Sequence, residues 1–490
     1  MNKLSFPILC VLAFFMLTSC QDEADKAPDT SAQLSFSVDT LSFDTIFSTL
    51  DSRTRSFVVY NKNDQDLVID TVKLLGGTDA AFKYNVDGFM PPPTNIITNV
   101  RLQAHDSLTV FVEVKPNTTG VDDPIVSFDE LYFSSNSHHK NIVLMNYSQD
   151  AIILRNEVLT QSTTLTSAKP YLVIGTLYVP ENMKLTLEAG TKLYFQSDSR
   201  IYVDGQIEAN GSFTEPVIFR GFRNDYVSDA NHTPYVLMPG QWDGIYLSSK
   251  STTNLFKHID MYGMTFGIVC TAEISSTPTL VVNISYSKIH TSKAYAVYNL
   301  SADVTIENSL IYNCGEVAVY EIGGRLKIIQ STLANYLEWS SLDMPSLDIQ
   351  NYTLSNGYAL ECPVYNVEVV NSIIMGKGST QVYLDQDTTS SAAFNVLFAY
   401  CHLKLRTSED FIFQNCSWSS SVNGTVTDHV FKNTELDLAG GKMYDFHLGS
   451  DTQVILKANQ DIEALYPYDL DGYKRVIENG CPGAYDLQDF

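Results

Sequence analysis

Basic residues are scarce in this sequence. Its 490 residues include 31 lysines and arginines against 56 aspartates and glutamates, which gives a formal net charge of −25 at pH 7. Nucleic acids and anionic lipid surfaces are bound through basic patches, so this charge argues against both as partners. It also weighs against unassisted binding of polyanionic polysaccharides. The other explanation for the acidity is the solubility of an extracellular surface.

Motifs for metals, cofactors and phosphate are also missing. The chain has eight cysteines, but none forms a CxxC pair or a Cys/His spacing typical of zinc. No phosphate loop or nucleophile elbow occurs. The stretch Asp469-Leu-Asp-Gly472 lacks the remaining ligands of a calcium loop. We therefore expect no metal and no cofactor. Disulfides are possible in an oxidising compartment, but their pairing cannot be read from the sequence.

No stretch has the spacing of a long amphipathic helix. Instead a frame of alternating apolar residues begins at Val282-Asn-Ile284-Ser-Tyr-Ser287-Lys-Ile289. Its serine position returns at Ser309, Ser331, Ser372 and Cys401, at intervals of 22, 22, 41 and 29 residues. The alternation predicts a strand, and the change of phase before each serine predicts a bend and a second strand. Asn308 and Asn371 stand at that bend, where a left-handed backbone suits asparagine.

A third strand follows each serine position, as in Val297-Tyr298, Val319-Tyr320 and Val382-Tyr383. Three short strands in about 22 residues make one turn of a parallel β-solenoid. The serine position then lines the interior as a column of small residues. An aliphatic column lies beside it, formed by Ile289, Ile311, Leu333, Ile374 and Leu403. The alternative is a β-sandwich in which the spacing arises by chance.

Residues 1–20 are typical of a secretory signal, because one lysine precedes an apolar run too short to span a membrane. Leu17-Thr-Ser-Cys20 resembles the lipobox of bacterial lipoproteins, which implies cleavage before Cys20 and lipidation of its sulfur. The acidic cluster that follows resembles the export signal of surface lipoproteins in some Gram-negative bacteria; the alternative is an ordinary solvated tether. Residues 21–32 are predicted to be flexible. We expect a lipid-anchored outer-membrane protein, exposed on the cell surface.

Residues 33–150 predict a β-sandwich. Short strands at 56–60, 67–69 and 108–114 are separated by turn signals at 61–64 and 91–93. By this pattern the stretch resembles the immunoglobulin-like domains that precede larger modules in secreted bacterial proteins, although it lacks their diagnostic Cys/Trp pair. The resemblance implies a spacer or a cap for the solenoid.

Residues 151–490 carry the predicted solenoid and a closing segment. The stretches 185–191, 203–205, 216–219 and 242–245 resemble the right-handed parallel β-helix repeat proteins of bacteria, as do 444–448, 469–472 and 483–485 for the closing segment. The resemblance implies an all-β fold with a right-handed parallel β-helix. It implies no single activity, because the family includes lyases, hydrolases, epimerases and non-catalytic surface proteins. The catalytic motifs of polygalacturonase-like hydrolases and the calcium cluster of pectate-lyase-like enzymes are missing.

Two insertions, at 221–241 and 335–356, interrupt the period. Long loops on a rigid scaffold are common binding sites, and exposed aromatic rings can stack on sugars while carboxylates accept hydrogen bonds from hydroxyl groups. The alternative is that the aromatic side chains anchor the loops to the solenoid wall. The candidate ligand-binding residues are Tyr226, Tyr235 and Trp242 in or beside the first insertion, and Tyr336, Glu338, Trp339 and Asp343 in the second.

A candidate acid/base site is predicted on one outer face. Neighbouring turns place equivalent residues about 4.8 Å apart, and the frame puts Asp260, His290 and Tyr312 at one position of three turns. These side chains could exchange protons, and Lys293 could supply a lyase base. The alternative is an ordinary polar wall.

The sequence thus predicts a surface lipoprotein whose β-helix binds an extracellular partner, with a glycan favoured. One alternative is a polysaccharide lyase or glycoside hydrolase that uses Asp260, His290 and Lys293. The other is a structural or adhesive protein with a protein partner. Coplanar exposed rings favour a glycan, whereas a broad apolar patch favours a protein.

Overall fold

The computed structural model describes residues 30–48, 50–76, 81–227, 233–338, 344–355, 357–405, 412–419, 421–422, 425–426, 430–450, 452, 454, 457–477 and 480–487. The predicted signal, Cys20 and residues 21–29 of the tether lie outside these ranges. The chain separates between Gln149 and Asp150 into two compact units. The prediction of an all-β fold is confirmed, since the described helical segments are limited to Tyr235–Leu237 and Gln460–Glu463.

The N-terminal unit is a β-sandwich. Its four-stranded sheet has the order Ser35–Phe36, Arg55–Tyr60, Ser107–Val114 and Phe82–Val86, and its five-stranded sheet has the order Thr40–Phe47, His138–Gln149, Ile125–Ser135, Leu67–Leu74 and Ile96–Leu102. Alternate side chains of both sheets meet in one core, where the ring of Phe57 lies 6.1 Å from that of Phe133. All strand pairs are antiparallel except Thr40–Phe47 with His138–Gln149.

The C-terminal unit is a parallel β-helix with three sheets, which we name sheets I, II and III. Sheet I consists of Ile152–Arg155, Tyr171–Ile174, Lys192–Phe195, Val217–Gly221, Ile259–Tyr262, Lys288–Ser292, Leu310–Cys314, Thr332–Asn335, Ile373–Gly376, His402–Leu403 and Ser417–Trp418. Sheet II consists of Thr163–Leu165, Lys184–Leu187, Gln206–Asn210, Thr253–Lys257, Val281–Ser285, Asp303–Glu307, Gly324–Ile329, Val364–Val370, Phe394–Ala399 and Phe413–Gln414. Sheet III consists of Thr176–Val179, Arg200–Val203, Gly244–Leu247, Ile268–Thr271, Val297–Leu300, Val319–Ile322, Leu347–Gln350 and Val382–Asp385. Three short antiparallel pairs accompany them: Tyr352–Ser355 with Tyr358–Glu361, Ser421–Val422 with Thr425–Val426, and Phe431–Asn433 with Asp445–Leu448.

The repeated frame corresponds to one strand of sheet II, a sharp corner and one strand of sheet I. The residue before the serine position has a positive φ, 44° at Asn308 and 47° at Asn371, as the bend predicted. Tyr286 and Gln330 adopt the same backbone, with φ of 50° and 49°. Asparagine tolerates this conformation better than they do, so the register of the turns fixes the corner where the local sequence does not.

The serine position forms a hydrogen-bonded ladder inside the β-helix. The hydroxyl of Ser309 accepts a hydrogen bond of 3.1 Å from the backbone N–H of Ser287 and donates one of 2.7 Å to the carbonyl of Glu307. Ser331 and Ser372 repeat both bonds one and two turns later. Each of these carbonyls also accepts a backbone N–H from the neighbouring turn. Without the hydroxyls, the corner would bury the N–H groups of Ser287, Ser309 and Ser331 unpaired, which is costly. The predicted aliphatic column is fully buried beside the ladder.

The C-terminal segment, residues 430–487, lies along the outer face of sheet I. It shares a core with outward residues of that sheet, formed by Leu310, Ala334, Ile373 and Met375 from the sheet and by Val430, Phe446, Leu448, Leu470 and Tyr485 from the segment. Burial of this apolar area fixes the segment in place. The segment therefore covers part of the face on which the acid/base site was predicted.

The insertions differ from the sequence-based boundaries. Residues 221–241 do connect a strand of sheet I to one of sheet III, as the interrupted period predicts. Residues 335–356 are not one insertion, because Leu347–Gln350 is a regular strand of sheet III. The extra residues precede this strand and also follow it, where Tyr352–Ser355 and Tyr358–Glu361 form a hairpin. No described helix is long and apolar enough to cross a membrane.

Candidate functional site

Sheet III carries a column of tyrosines on its outer surface, interrupted at two positions. Strand register places six of them at equivalent outward positions of the eight strands: Tyr178, Tyr202, Tyr246, Tyr298, Tyr320 and Tyr383, with Val269 and Asp348 at the other two. We call this surface the tyrosine face. Since strands lie about 4.8 Å apart, the column is about 34 Å long.

The tyrosine rings are partly exposed and are inclined to one another. Tyr202 is 38% and Tyr383 45% exposed. The ring of Tyr178 lies 6.0 Å from that of Tyr202 at 52°, and the ring of Tyr298 lies 5.7 Å from that of Tyr320 at 79°. The rings are therefore not coplanar, so they lack the coplanar arrangement that was expected of a glycan site. The surface offers ring faces, ring edges and hydroxyl groups together.

Carboxylates lie beside the N-terminal half of the column, which comprises the first four strands of sheet III. Tyr178 donates a hydrogen bond of 2.7 Å to Asp204, and Tyr246 donates one of 2.9 Å to Asp243. Burial opposes ionisation of Asp204, but the hydrogen bonds from Ser248 and Tyr178 hold its pKa below the ordinary value. Arg200 pairs with Asp243 at 2.9 Å. The remaining lone pairs of these carboxylates can accept hydrogen bonds from a ligand.

The C-terminal half of the column, which comprises the last four strands of sheet III, contains acidic residues. Asp348 replaces a tyrosine there, and burial, aided by the charge of Asp385, raises its pKa to about 6. Tyr352 donates a hydrogen bond of 2.8 Å to Asp385. Tyr352 belongs to the hairpin that follows the sheet III strand Leu347–Gln350, so its bond to Asp385 places it beside the tyrosine face.

The first insertion uses its aromatic residues internally. Trp242 is 1% exposed, stacks on Phe195 at 4.1 Å and donates a hydrogen bond to the carbonyl of Tyr262. The prediction that Trp242 contacts a ligand is wrong, because the side chain belongs to the core. The guanidinium carbon of Arg223 lies 3.5 Å from the centroid of the Tyr235 ring. Tyr226 forms an antiparallel β-bridge with Pro234. Both tyrosines are half-buried.

The second insertion places its residues beside the C-terminal segment. The half-buried ring of Tyr336 lies 5.9 Å from that of Phe446. Glu338 is exposed, and its backbone N–H donates to the hydroxyl of Tyr444. Trp339 and Asp343 lie outside the described residues. Tyr336 thus anchors its loop, which was the alternative to ligand binding.

The acid/base column has a different register from the prediction. Tyr262, not Asp260, stands opposite His290, while Asp260 stands opposite Lys288. Tyr262 and Tyr312 stack on the two faces of His290 at 4.9 and 4.3 Å. Asp260 nevertheless reaches the ring diagonally, at 3.3 Å from Nε2. The structure therefore brings Asp260 and His290 together.

This column is only partly accessible. Tyr312 is partly buried, with its ring 5.0 Å from that of Phe446, and burial raises its pKa well above the ordinary value. Tyr312 is thus a stacking partner and not an exposed acid. Lys293 is exposed but lies against Gly240, away from Asp260.

A cleft of about 270 Å³ remains between sheet I and the C-terminal segment, lined among others by His258, Asp260, Tyr286, Lys288, Asp471 and Tyr473. Burial and the nearby charge of Lys257 lower the pKa of His258 to about 4, so its ring is neutral at pH 7. Lys288 lies 3.4 Å from Asp471, which also accepts from His447 at 2.7 Å. The hydrogen bond to Asp471 raises the pKa of His447. These charges pair with one another, so the network holds the C-terminal segment on sheet I. Within the described ranges, no three His, Cys, Asp or Glu side chains converge as metal ligands.

Comparison with known proteins finds structural neighbours of low similarity. No family model and no curated protein matches the sequence. A PapD-like domain of human CEP192 matches at 12% identity over 27% of this chain and 96% of that domain, with a TM-score of 0.17. A family 123 glycoside hydrolase from Clostridium perfringens matches at 8% identity over 24% of this chain and 26% of its own, with a TM-score of 0.18. The catalytic unit of a GH87 α-1,3-glucanase from Streptomyces thermodiastaticus strain HF3-3 matches at 8% identity over 71% of this chain and 79% of its own, with a TM-score of 0.28. The parallel β-helix rests on the strand pairing itself.

The tyrosine face was missed by the sequence analysis, although its signal is visible. Each tyrosine stands between or after buried apolar residues of one strand, as in Leu177-Tyr-Val179, Ile201-Tyr-Val203 and Ile245-Tyr-Leu247. The inward apolar residues define the repeat, and the tyrosine at the outward position between them recurs with the same period.

Proposed function

We propose that this chain is a surface-anchored lipoprotein that binds a neutral extracellular glycan along its tyrosine face. The observation that carries this proposal is the register of six tyrosines on the eight strands of sheet III. Aromatic rings pack against the apolar faces of sugars, and carboxylates accept hydrogen bonds from hydroxyl groups. The strand spacing is comparable to the length of one pyranose unit, so a chain can follow the column lengthwise.

The charge of the face selects the class of glycan. Asp204, Asp243 and Asp385 border the column, and Arg200 is already paired with Asp243. Uronates and sulfated sugars would be repelled. We therefore expect neutral polymers to bind and acidic polymers to fail.

The anchor belongs to the same proposal. Lipidation of Cys20 would tether the chain by residues 21–32, and the β-sandwich would serve as a spacer. A Cys20→Ala variant should lose membrane association in fractionated cells, whereas the unmodified chain should be cleaved by protease added to intact cells. Protection of the unmodified chain from that protease would contradict surface exposure.

The glycan proposal is tested with residues 21–490 against a panel of neutral and acidic polysaccharides in affinity gel electrophoresis. Replacing both Tyr202 and Tyr383 by alanine should weaken binding about tenfold or more, because two stacking rings are lost. Tyr358→Ala is the matched control, since Tyr358 is 80% exposed on the hairpin and outside the column. Equal loss in the control, or none in the double variant, would contradict the assignment.

The same samples test the enzymatic alternative. New reducing ends or unsaturated products would identify a hydrolase or a lyase, and the cleft beside Asp260 and His290 would become the site to mutate. Retention of a polymer without products supports binding.

A protein partner is the second candidate function, and one observation favours it. The hairpin exposes three apolar side chains, Leu354 at 70%, Tyr358 at 80% and Leu360 at 48%. Apolar side chains grouped in this way are typical of docking surfaces. If no polymer is retained, this hairpin is the surface to examine.

A further inference from the structure

Two cysteines face each other on adjacent turns of the β-helix. Cys401 occupies the serine position of the ladder, is fully buried, and lies 3.3 Å from the carbonyls of Val369 and Ala399. In the following turn, Gln414 stands opposite Ala399 and Ser417 opposite His402. This register places Cys416 opposite Cys401. The thiol of Cys401 lies close enough to Cys416 to lower the pKa of the Cys416 thiol.

The geometry of this pair fits a covalent link. In-register residues of parallel strands are about 4.8 Å apart, and a disulfide spans Cα atoms about 4.4–6.8 Å apart. Other described cysteines of the sheets have different neighbours, since Cys270 stands opposite Asn299 and Cys314 opposite Ser292. We propose that Cys401 and Cys416 form a disulfide that staples the final turn of the β-helix.

The position of the pair explains what a link would do. The last strands of sheets I and II, Ser417–Trp418 and Phe413–Gln414, have two residues each, whereas Lys288–Ser292 has five. Short terminal strands fray, and the end of a solenoid exposes backbone groups that other chains can pair with. A disulfide at this turn holds the end strands in register.

Formation of the bond requires an oxidant, which we take to be a protein or small-molecule disulfide. Cys416 is half-buried, and the hydrogen bond from Cys401 lowers its pKa, so its thiolate attacks the oxidant. One thiol leaves, and a mixed disulfide forms. The sulfur of Cys401 then gives up its proton and displaces the second thiol. The pair loses two electrons and two protons, and the oxidant gains both.

Peptide mapping tests the proposal directly. Residues 21–490 contain six cysteines, all of them among the described residues. After exposure of the folded protein to oxidised glutathione and alkylation in denaturant, we expect four alkylated cysteines and one peptide pair linking Cys401 to Cys416. Alkylation of both residues, or a link of either to another cysteine, would overturn the proposal.

The variant Cys401→Ser separates the disulfide from folding. Serine occupies this position in four other turns, so the variant keeps the ladder. A reductant should lower the melting temperature of the oxidised unmodified protein by a few degrees and leave Cys401→Ser unchanged. An equal response of both proteins would refute a stapling role.

Discussion

Single side chains replace the hydrogen bonds that the corners of the β-helix would otherwise leave unmade. Ser309 is fully buried, yet its hydroxyl both accepts from Ser287 and donates to Glu307. The hydroxyl is small enough for the sharp corner and carries both a donor and an acceptor. This explains why the repeat tolerates changes of its apolar residues but keeps serine in four of five copies.

Ser309→Ala should lower the free energy of unfolding by about 1–3 kcal/mol, because the N–H of Ser287 loses its buried acceptor. The carbonyl of Glu307 loses the hydroxyl as well but keeps the N–H of Tyr286 as a donor. Urea unfolding followed by circular dichroism measures the change. Ser309→Cys is the matched control and should lose less, since Cys401 already occupies this position. If the alanine variant were as stable as the unmodified chain, water would have to replace the hydroxyl.

A carboxyl group inside the core makes stability depend on pH. Glu321 is fully buried on the inward side of sheet III and accepts a hydrogen bond of 2.7 Å from Asn299. Burial raises its pKa well above the ordinary value. The folded state therefore binds a proton that the unfolded state releases near pH 4.3. The protonated Glu321 therefore contributes its full share to the free energy of unfolding below that pH. This contribution is lost as the pH rises towards the pKa of Glu321 in the folded protein.

We expect Glu321→Gln to remove this loss. The free energy of unfolding of the unmodified protein should fall, relative to that of the variant, between pH 5 and pH 8. Urea titrations at several pH values measure the difference, and the exposed Glu188→Gln is the control that should run parallel to the unmodified protein. If the free energies of unfolding of Glu321→Gln and of the unmodified protein changed in the same way with pH, the carboxyl group of Glu321 would not be protonated in the folded protein.

At the scale of elements, the corner residues of the β-helix also bind the C-terminal segment. Asn308 accepts a hydrogen bond of 2.6 Å from the buried Arg475, Gln330 donates one of 2.8 Å to the carbonyl of Cys481, and Asn371 donates one of 2.8 Å to that of Asn459. These polar bonds fix the position of a segment whose apolar side chains cover sheet I. The left-handed backbone at the corner points each of these side chains outward. The same residues therefore form the corner and bind the C-terminal segment.

Arg475→Met should loosen this segment. The guanidinium also donates to the carbonyls of Gly483 and Ala484, which keep second bonds from Gln330 and Leu470. Its removal takes a donor from three acceptors, among them the buried side-chain oxygen of Asn308, and costs about 3 kcal/mol. Amide hydrogen exchange should become about a hundredfold faster in residues 457–487, with little change in the strands of sheet II. The exposed neighbour Lys474→Met is the control. Unchanged exchange in the segment would show that its apolar core alone holds it.

What the sequence could predict follows from which contacts are local. The frame from Val282 onward predicted the strands, corners and inward columns, because each depends on residues close in the chain. The predicted register of Asp260 was wrong because the corner before it does not match the repeated frame. His258 stands where several later turns have asparagine, and no serine follows it. Aligning Ile259-Asp-Met261 with Ser287-Lys-Ile289 would have given the observed pairing.

Other features depend on contacts far apart in the chain. Trp242 has the composition of a loop aromatic, and only the closing of the turn over Phe195 makes it a core residue. The covering of Tyr312 by Phe446 likewise joins residues that no local pattern relates. The tyrosine face is the opposite case. Its outward tyrosine recurs in six of the eight strands of sheet III, so it could have been found by reading the outward positions separately from the core.

At the scale of the whole molecule, the proposed function depends on the length of the β-helix. A ligand that follows the tyrosine face meets a new ring at almost every strand, so each added sugar should add contacts until the chain spans about seven strand steps. We expect the affinity of size-fractionated oligosaccharides, measured by calorimetry with the polymer that is retained, to rise steadily to that length and then level off. Tyr202→Ala and Tyr383→Ala, which remove rings near opposite ends of the column, should each shorten the range over which affinity rises. An affinity that is already maximal for a disaccharide would place the ligand in a single pocket, and the lengthwise arrangement would then have no role in recognition.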